Sequence, residues 1–318
     1  MLRFYCQATG RLERLGSEPS IPLMQTRRFE MLMKASVSSR ITPWIIVAFL
    51  LISSLATVSE TLAAQGAKGG SAHSAAAGGG GAPPQGKESI LASELIAAAR
   101  RGNLDKVKDA LSRGAKLDTR DVEGMTALMY AALKGNREMV EELLQQGADP
   151  NLSDNNGVTP LMQASWGGYE EIIQMLIAKG AETNLRNGDD VRKLRKRGIT
   201  ALMSSCMNGN LNTAKFLIAN GAQIDQQDDD GQTALLYACK FGHTNVVRML
   251  VSNGASIEIK DKYGLNPLMI ATINDHAPVV RALLACGANR NAVDIHGLTP
   301  AKYAWALGLD RILRILEK

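Results

Sequence analysis

The chain has 318 residues, 45% hydrophobic and 21% charged, a globular composition with length for about two ordinary domains, which excludes the disordered and fibrous classes. Aromatics are scarce (Phe 5, Tyr 6, Trp 3) while glycine is abundant (30), so a core of small and aliphatic side chains is expected, which favours close-packed helices over a β-sandwich. The net charge of +5 would suit a polyanion partner, but from residue 88 onward 27 Lys+Arg meet 27 Asp+Glu, so the excess lies upstream and nucleic acid is not an expected partner.

Residues 1–40 form a basic extension, with Arg3, Arg11, Arg14, Arg27, Arg28, Lys34 and Arg40 against Glu13, Glu18 and Glu30. From Ile41 to Ser59 no residue is charged, and Trp44 to Leu55 is a twelve-residue apolar run. Residues 41–64 therefore read as a signal peptide or a signal anchor. The nineteen uncharged residues would just span a hydrocarbon core of about 30 Å, and membrane attachment through 41–59 stays open. The shorter apolar run fits a secretory h-region better, and Ser54-Leu55-Ala56 or Thr61-Leu62-Ala63 offers the small-x-small pattern for cleavage. Forty preceding residues are long for an n-region; Met31 or Met33 as the start would leave Lys34 and Arg40 directly before the run. The positive flank predicts everything after Ser59 on the non-cytoplasmic side, periplasmic or secreted if cleaved, with a cytosolic protein as the remaining alternative. Residues 65–87 are Gly/Ala/Ser-rich and bury no face, so they form a flexible linker with a mean reach of about 25–30 Å.

Residues 88–318 are periodic. Glycines at 124, 157, 198, 231, 264 and 297 are separated by 33, 41, 33, 33 and 33 residues, and a second series at 114, 147, 180, 221, 254 and 287 by 33, 33, 41, 33 and 33. Each unit continues with a Thr-Ala-Leu or Thr-Pro-Leu step, as at Thr126, Thr159, Thr200, Thr233 and Thr299, with Asn266 in the Thr place. Thr supplies a helix cap, and Pro is harmless in a first turn. Small pairs follow (Ala131-Ala132, Ala164-Ser165, Ser205-Cys206, Ala238-Cys239, Ala271-Thr272), where a neighbouring backbone would approach closely. A second helix then shows aliphatics at i, i+3 and i+4, as in Met139, Val140, Leu143 and Leu144, and a Gly-Ala pair ends it.

This pattern resembles the ankyrin repeat, whose period is 33 and whose signature is T-P-L-H-x-A. The resemblance covers about residues 90–318 and implies an all-α fold, a solenoid of stacked helix pairs with β-hairpin loops, built of about seven repeats including an atypical cap at each end. Met129, Met162, Met203, Leu236 and Met269 stand where the family carries histidine, which implies a more apolar seam. The resemblance further implies a non-catalytic scaffold, acting as a monomer, that binds one or more proteins in a concave groove. Its variable groove positions carry over to Val122, Glu123, Met125, Leu133 and Lys134; Asn155, Asn156, Val158, Trp166 and Gly167; Lys196, Arg197, Ile199, Met207 and Asn208; Asp229, Asp230, Gln232, Lys240 and Phe241; and Lys262, Tyr263, Leu265, Ile273 and Asn274. The partner-binding candidates among these are Lys134, Trp166, Met207, Asn208, Lys240, Phe241, Tyr263 and Ile273. Trp166 and Phe241 lead in a chain poor in aromatics, because interface anchors are commonly aromatic; the alternative is that the two rings merely pack across a neighbouring helix.

The 41-residue interval holds an insertion at 189–196, and Arg192, Lys193, Arg195, Lys196 and Arg197 make it a basic finger. It would suit an acidic partner or anionic lipid in a membrane-anchored recruitment factor, or it pairs internally with Asp228, Asp229 and Asp230 on the next finger. No enzyme, cofactor or metal site is expected. His73, His243, His276 and His296 form no catalytic or zinc-like constellation, and the glycines no phosphate loop. Cys6 lies upstream of the patterned sequence, and Cys206, Cys239 and Cys286 read as small buried thiols. Cys206 and Cys239, in equivalent places of adjacent units, would stand about 10 Å apart, beyond the roughly 7 Å that a disulfide tolerates.

Overall fold

A computed structural model of the chain describes residues 86–188 and 198–318. The basic extension, the apolar segment, most of the linker and the basic finger Arg192, Lys193, Arg195, Lys196 and Arg197 lie outside the described residues. The described part is a series of helix pairs: α1 (Lys87–Arg101) with α2 (Leu104–Ser112), α3 (Ala127–Lys134) with α4 (Arg137–Gln145), α5 (Pro160–Gly167) with α6 (Glu170–Ala178), and α7 (Ala201–Met207) with α8 (Leu211–Ala219). It continues with α9 (Ala234–Lys240) and α10 (Thr244–Ser252), α11 (Pro267–Ile273) and α12 (Ala277–Ala285), and α13 (Pro300–Ala306) and α14 (Asp310–Leu316). The hairpin fingers between pairs are tight hydrogen-bonded turns, and no strand is assigned among the described residues.

Local chemistry sets these bounds. The hydroxyls of Thr126, Thr159, Thr200, Thr233 and Thr299 each accept the backbone N–H three residues on at 3.3 Å, and Asn266 does the same at 3.0 Å. Pro160, Pro267 and Pro300 occupy first-turn positions, where no helical N–H bond is lost. Outer helices end in a left-handed glycine: at Gly147, φ is 92°, and the Ala148 N–H returns to the Leu143 carbonyl at 3.0 Å.

Inner helices α1, α3, α5, α7, α9, α11 and α13 pack on one another in series, each backed by its outer partner. The small pairs explain how they approach. Ala131, Ala132, Ala164, Ser165, Ser205, Cys206, Ala238, Cys239, Ala271 and Thr272 are all fully buried, so the next inner helix leaves no room for a longer side chain there. Met129, Met162, Met203, Leu236 and Met269 are buried beside them as the apolar seam. Burying each such side chain stabilises the stack by about 1.5–3 kcal/mol, and a single pair has no other surface on which to gain it. Between α6 and α8, where the 41-residue interval falls, the outer helices diverge and leave a surface groove of about 310 Å³ lined by Glu170, Gln174, Asn212, Lys215, Phe216 and Ala219.

Candidate functional site

The fingers are organised by a buried or half-buried aspartate three positions before every repeat glycine except Gly198. Asp228 Oδ1 accepts the Asp230 and Gln232 N–H groups at 2.9 and 2.8 Å, while Oδ2 accepts the Tyr237 hydroxyl at 2.6 Å. Asp121 with Tyr130 and Asp294 with Tyr303 repeat the motif at 2.7 and 2.5 Å. Asp154 and Asp261 supply the same pair of backbone bonds, and Asn187 fills the place at the insertion. Burial and the Asp121 carboxylate push the Tyr130 hydroxyl up to about 12. Burial raises Asp261 above the ordinary aspartate value, against the two backbone N–H groups that stabilise its charge. Consecutive fingers are tied by the main chain, through Asn155 N–H to Glu123 O at 2.8 Å and Lys262 N–H to Asp230 O at 2.9 Å.

The ends of the inner helices make a second row. Leu133, Trp166 and Phe241 keep 47, 48 and 46% of their surface exposed, Met207 and Ile273 are half-buried, and Lys134, Asn208 and Lys240 are exposed. These side chains occupy the two positions that follow each fully buried small pair, so the stack that hides the pair presents them at its surface. Trp166 is held by its backbone: Asn208 Nδ2 and Asn210 Nδ2 donate to its carbonyl at 2.7 and 2.9 Å. Asn208 thus buttresses the neighbouring repeat as well as lining the row. Phe241 stacks on His243 with ring centroids 6.5 Å apart, and the Lys240 ammonium lies 5.9 Å from the Phe241 centroid. Tyr263, 54% exposed on its finger, carries Lys262 at 5.0 Å from its ring.

The outer-helix starts lock adjacent pairs together. A His243 ring nitrogen meets the Met207 carbonyl at 2.9 Å, and a His276 ring nitrogen meets the Lys240 carbonyl at 3.0 Å. Both histidines are structural struts. At Gly209, which precedes Asn210 at φ 73°, an added Cβ would lie 2.6 Å from His243 Nδ1, so this close approach requires glycine.

Several expectations are corrected. Met125 and Ile199 are 6 and 7% exposed, so the position after the repeat glycine turns under the finger into the core and lines no groove. Gln232 is engaged with Asp261 Oδ2 at 2.9 Å. The acidic triplet is already partnered among the described residues: Asp228 by its turn and Tyr237, Asp229 by Arg186 at 2.7 Å, and Asp230 by Lys262. The basic finger expected either to pair with this triplet or to meet an acidic partner lies outside the described residues. Cys206 and Cys239 are buried free thiols, with burial pushing Cys206 up to about 12 and Cys239 higher still, but Cys286 is exposed at the end of α12. Ile295, 62% exposed two residues before Gly297, extends the finger row by one repeat. Among the described residues there is no cluster of metal-ligating side chains and no helix long and apolar enough to cross a membrane.

Comparison with known proteins agrees with this geometry. A family model described as ankyrin repeats (3 copies) matches residues 95–187 and 183–261, and one described as ankyrin repeats (many copies) matches residues 250–304. Among solved structures, the crystal structure of the human ASB11 ankyrin repeat domain is similar at a TM-score of 0.62 and 24% identity, covering 70% of this chain and 97% of that one. At that identity the likeness is one of fold. No curated protein matches the sequence significantly.

Proposed function

Because the chain belongs to the ankyrin-repeat family, a fold that serves as a protein-interaction scaffold, we propose that it acts by stoichiometric binding of a partner protein in a groove formed by the inner-helix ends and the finger tips. The observation that carries this reading is the half-exposed series Leu133, Trp166, Met207, Phe241 and Ile273, apolar side chains that the stack raises to its surface on one repeated position after another. Rigid aromatics supply large contact area at low ordering cost, so Trp166 and Phe241 are the anchors, with Lys134, Asn208, Lys240 and Tyr263 around them. No step of bond chemistry is assigned to any residue. Affinity capture with mass spectrometry tests the reading: the double variant Trp166→Ala/Phe241→Ala loses the partners that the unaltered chain recovers, whereas an unchanged set removes the groove from the account.

The repeat domain works outside the cytoplasm in this proposal, delivered by residues 41–64 and spaced by the linker at 65–87. The uncharged stretch behind a basic flank supports it. A mature N-terminus between residues 57 and 67 is the expected result of sequencing the purified protein, and an intact N-terminus in the membrane fraction supports instead an anchored recruitment factor whose basic finger contacts an acidic partner or anionic lipid.

A further inference from the structure

The two positions that close each inner helix read, from the first pair to the sixth, Arg100-Arg101, Leu133-Lys134, Trp166-Gly167, Met207-Asn208, Lys240-Phe241 and Ile273-Asn274. The row holds four cations and no carboxylate; the nearest carboxylate in sequence is Asp275, one residue beyond its end. Arg100, Arg101, Lys134 and Lys240 are all exposed, and none forms an ion pair among the described residues, whereas the finger cations Arg186 and Lys262 are matched to Asp229 and Asp230. The row therefore combines apolar seats with cations that have no ion pair among the described residues, and it is basic at its α1 end.

Resting on the groove reading above, we propose that this row takes a single protein segment that interleaves large apolar side chains with carboxylates. Five steps of about 8–10 Å make about 40–50 Å, a length covered by about 12–15 residues of extended chain at about 3.3 Å each. Such a segment gains twice: its apolar side chains fill the spaces beside Leu133, Trp166 and Phe241, and its carboxylates meet cations that form no ion pair among the described residues. A nucleic-acid strand fits less well. Its evenly spaced phosphates would face cations confined to the first two pairs and the fifth, and the aliphatic seats at Leu133, Met207 and Ile273 offer no stacking face.

The experiment is panning of a phage-displayed random peptide library, about 16 residues long to match that span, on the immobilised full chain. Enriched peptides are expected to carry net negative charge with two or more large apolar residues. Their binding is expected to fall at least about tenfold on the triple variant Arg100→Glu/Lys134→Glu/Lys240→Glu and in high salt, since the contacts are charge-steered and exposed. The control Arg248→Glu/Arg281→Glu, on the outer helices α10 and α12, retains it. Matching thermal melts by circular dichroism identify variants that are folded. No enrichment, neutral or basic peptides, equal binding by the triple variant, or displacement of the peptides by a single-stranded oligonucleotide of similar length each overturns the inference. Peptides insensitive to the cations but lost on Trp166→Ala/Phe241→Ala leave the groove reading standing; peptides insensitive to both sets of changes end it.

Discussion

At Asp228 one carboxylate oxygen accepts two backbone N–H groups and the other accepts the Tyr237 hydroxyl, so Asp228→Ala strips three partners in a buried site. Urea unfolding is expected to show a loss of about 2–3 kcal/mol, with Asp228→Asn milder because it keeps the oxygen that closes the turn. Gly209→Ala meets two penalties, a left-handed backbone and the His243 ring, and is expected to cost about 1–3 kcal/mol by the same measurement. Tyr130 gives a pH dependence of definite sign. Its hydroxyl is raised in the folded state to about 12, above its ordinary value of 10.0, so the native state holds the proton that the unfolded chain releases. The Tyr130 contribution is complete below pH 10.0 and is lost as pH rises toward about 12. Tyr130→Phe is therefore expected to be slightly less stable at neutral pH and to show a shallower decline across that alkaline window, measured as urea midpoint against pH.

The helix pairs were legible from spacing alone, because the two glycine series, the capping threonines and the buried small pairs each answer a separate geometric demand and recur together. The finger interiors were not. A surface-loop aspartate ordinarily signals a solvated charge, and nothing local to Asp121 or Asp228 shows that its carboxylate closes a turn and holds a tyrosine nine residues on. The recurrence of an aspartate three places before every repeat glycine except Gly198 is the signal that would have found them. Met125 and Ile199 were misplaced for a related reason: the chain reverses within a few residues there, and which side meets the core depends on the turn, not on the period. Between α6 and α8 the outer layer is loosely packed, although the inner helices α5 and α7 pack closely across the same boundary. Its outer helices diverge, and the buried Thr213 Oγ1 and Ser165 Oγ have no hydrogen-bond partner among the described residues. Thr213→Val is expected to raise stability by about 1 kcal/mol in urea, because an unpaired buried hydroxyl is replaced by a methyl of similar size. Hydrogen exchange is expected to show α8 opening more readily than α10, which packs more closely on its two outer-helix neighbours.

At the scale of the whole repeat domain, stability and binding share one arrangement: serial packing buries the small pairs and, one residue later, lifts the helix-end side chains to the surface. The last pair departs from this pattern on the face that elsewhere meets a following pair. Lys302 stands where the seam residues are Met or Leu, and Trp305, 42% exposed, stands where every internal pair has a small buried residue. Polar or bulky substitution there blocks further stacking, so Lys302→Met/Trp305→Ala is expected to promote self-association, read as a concentration-dependent shift in sedimentation. The central claim is that a protein partner lies along the helix-end row. Hydrogen-exchange footprinting of the repeat domain with its captured partner tests it most directly: the account predicts added protection at residues 133–134, 166–168, 207–208, 240–241 and 273–274, whereas protection confined to the outer helices, above all at the α6/α8 groove, would contradict it.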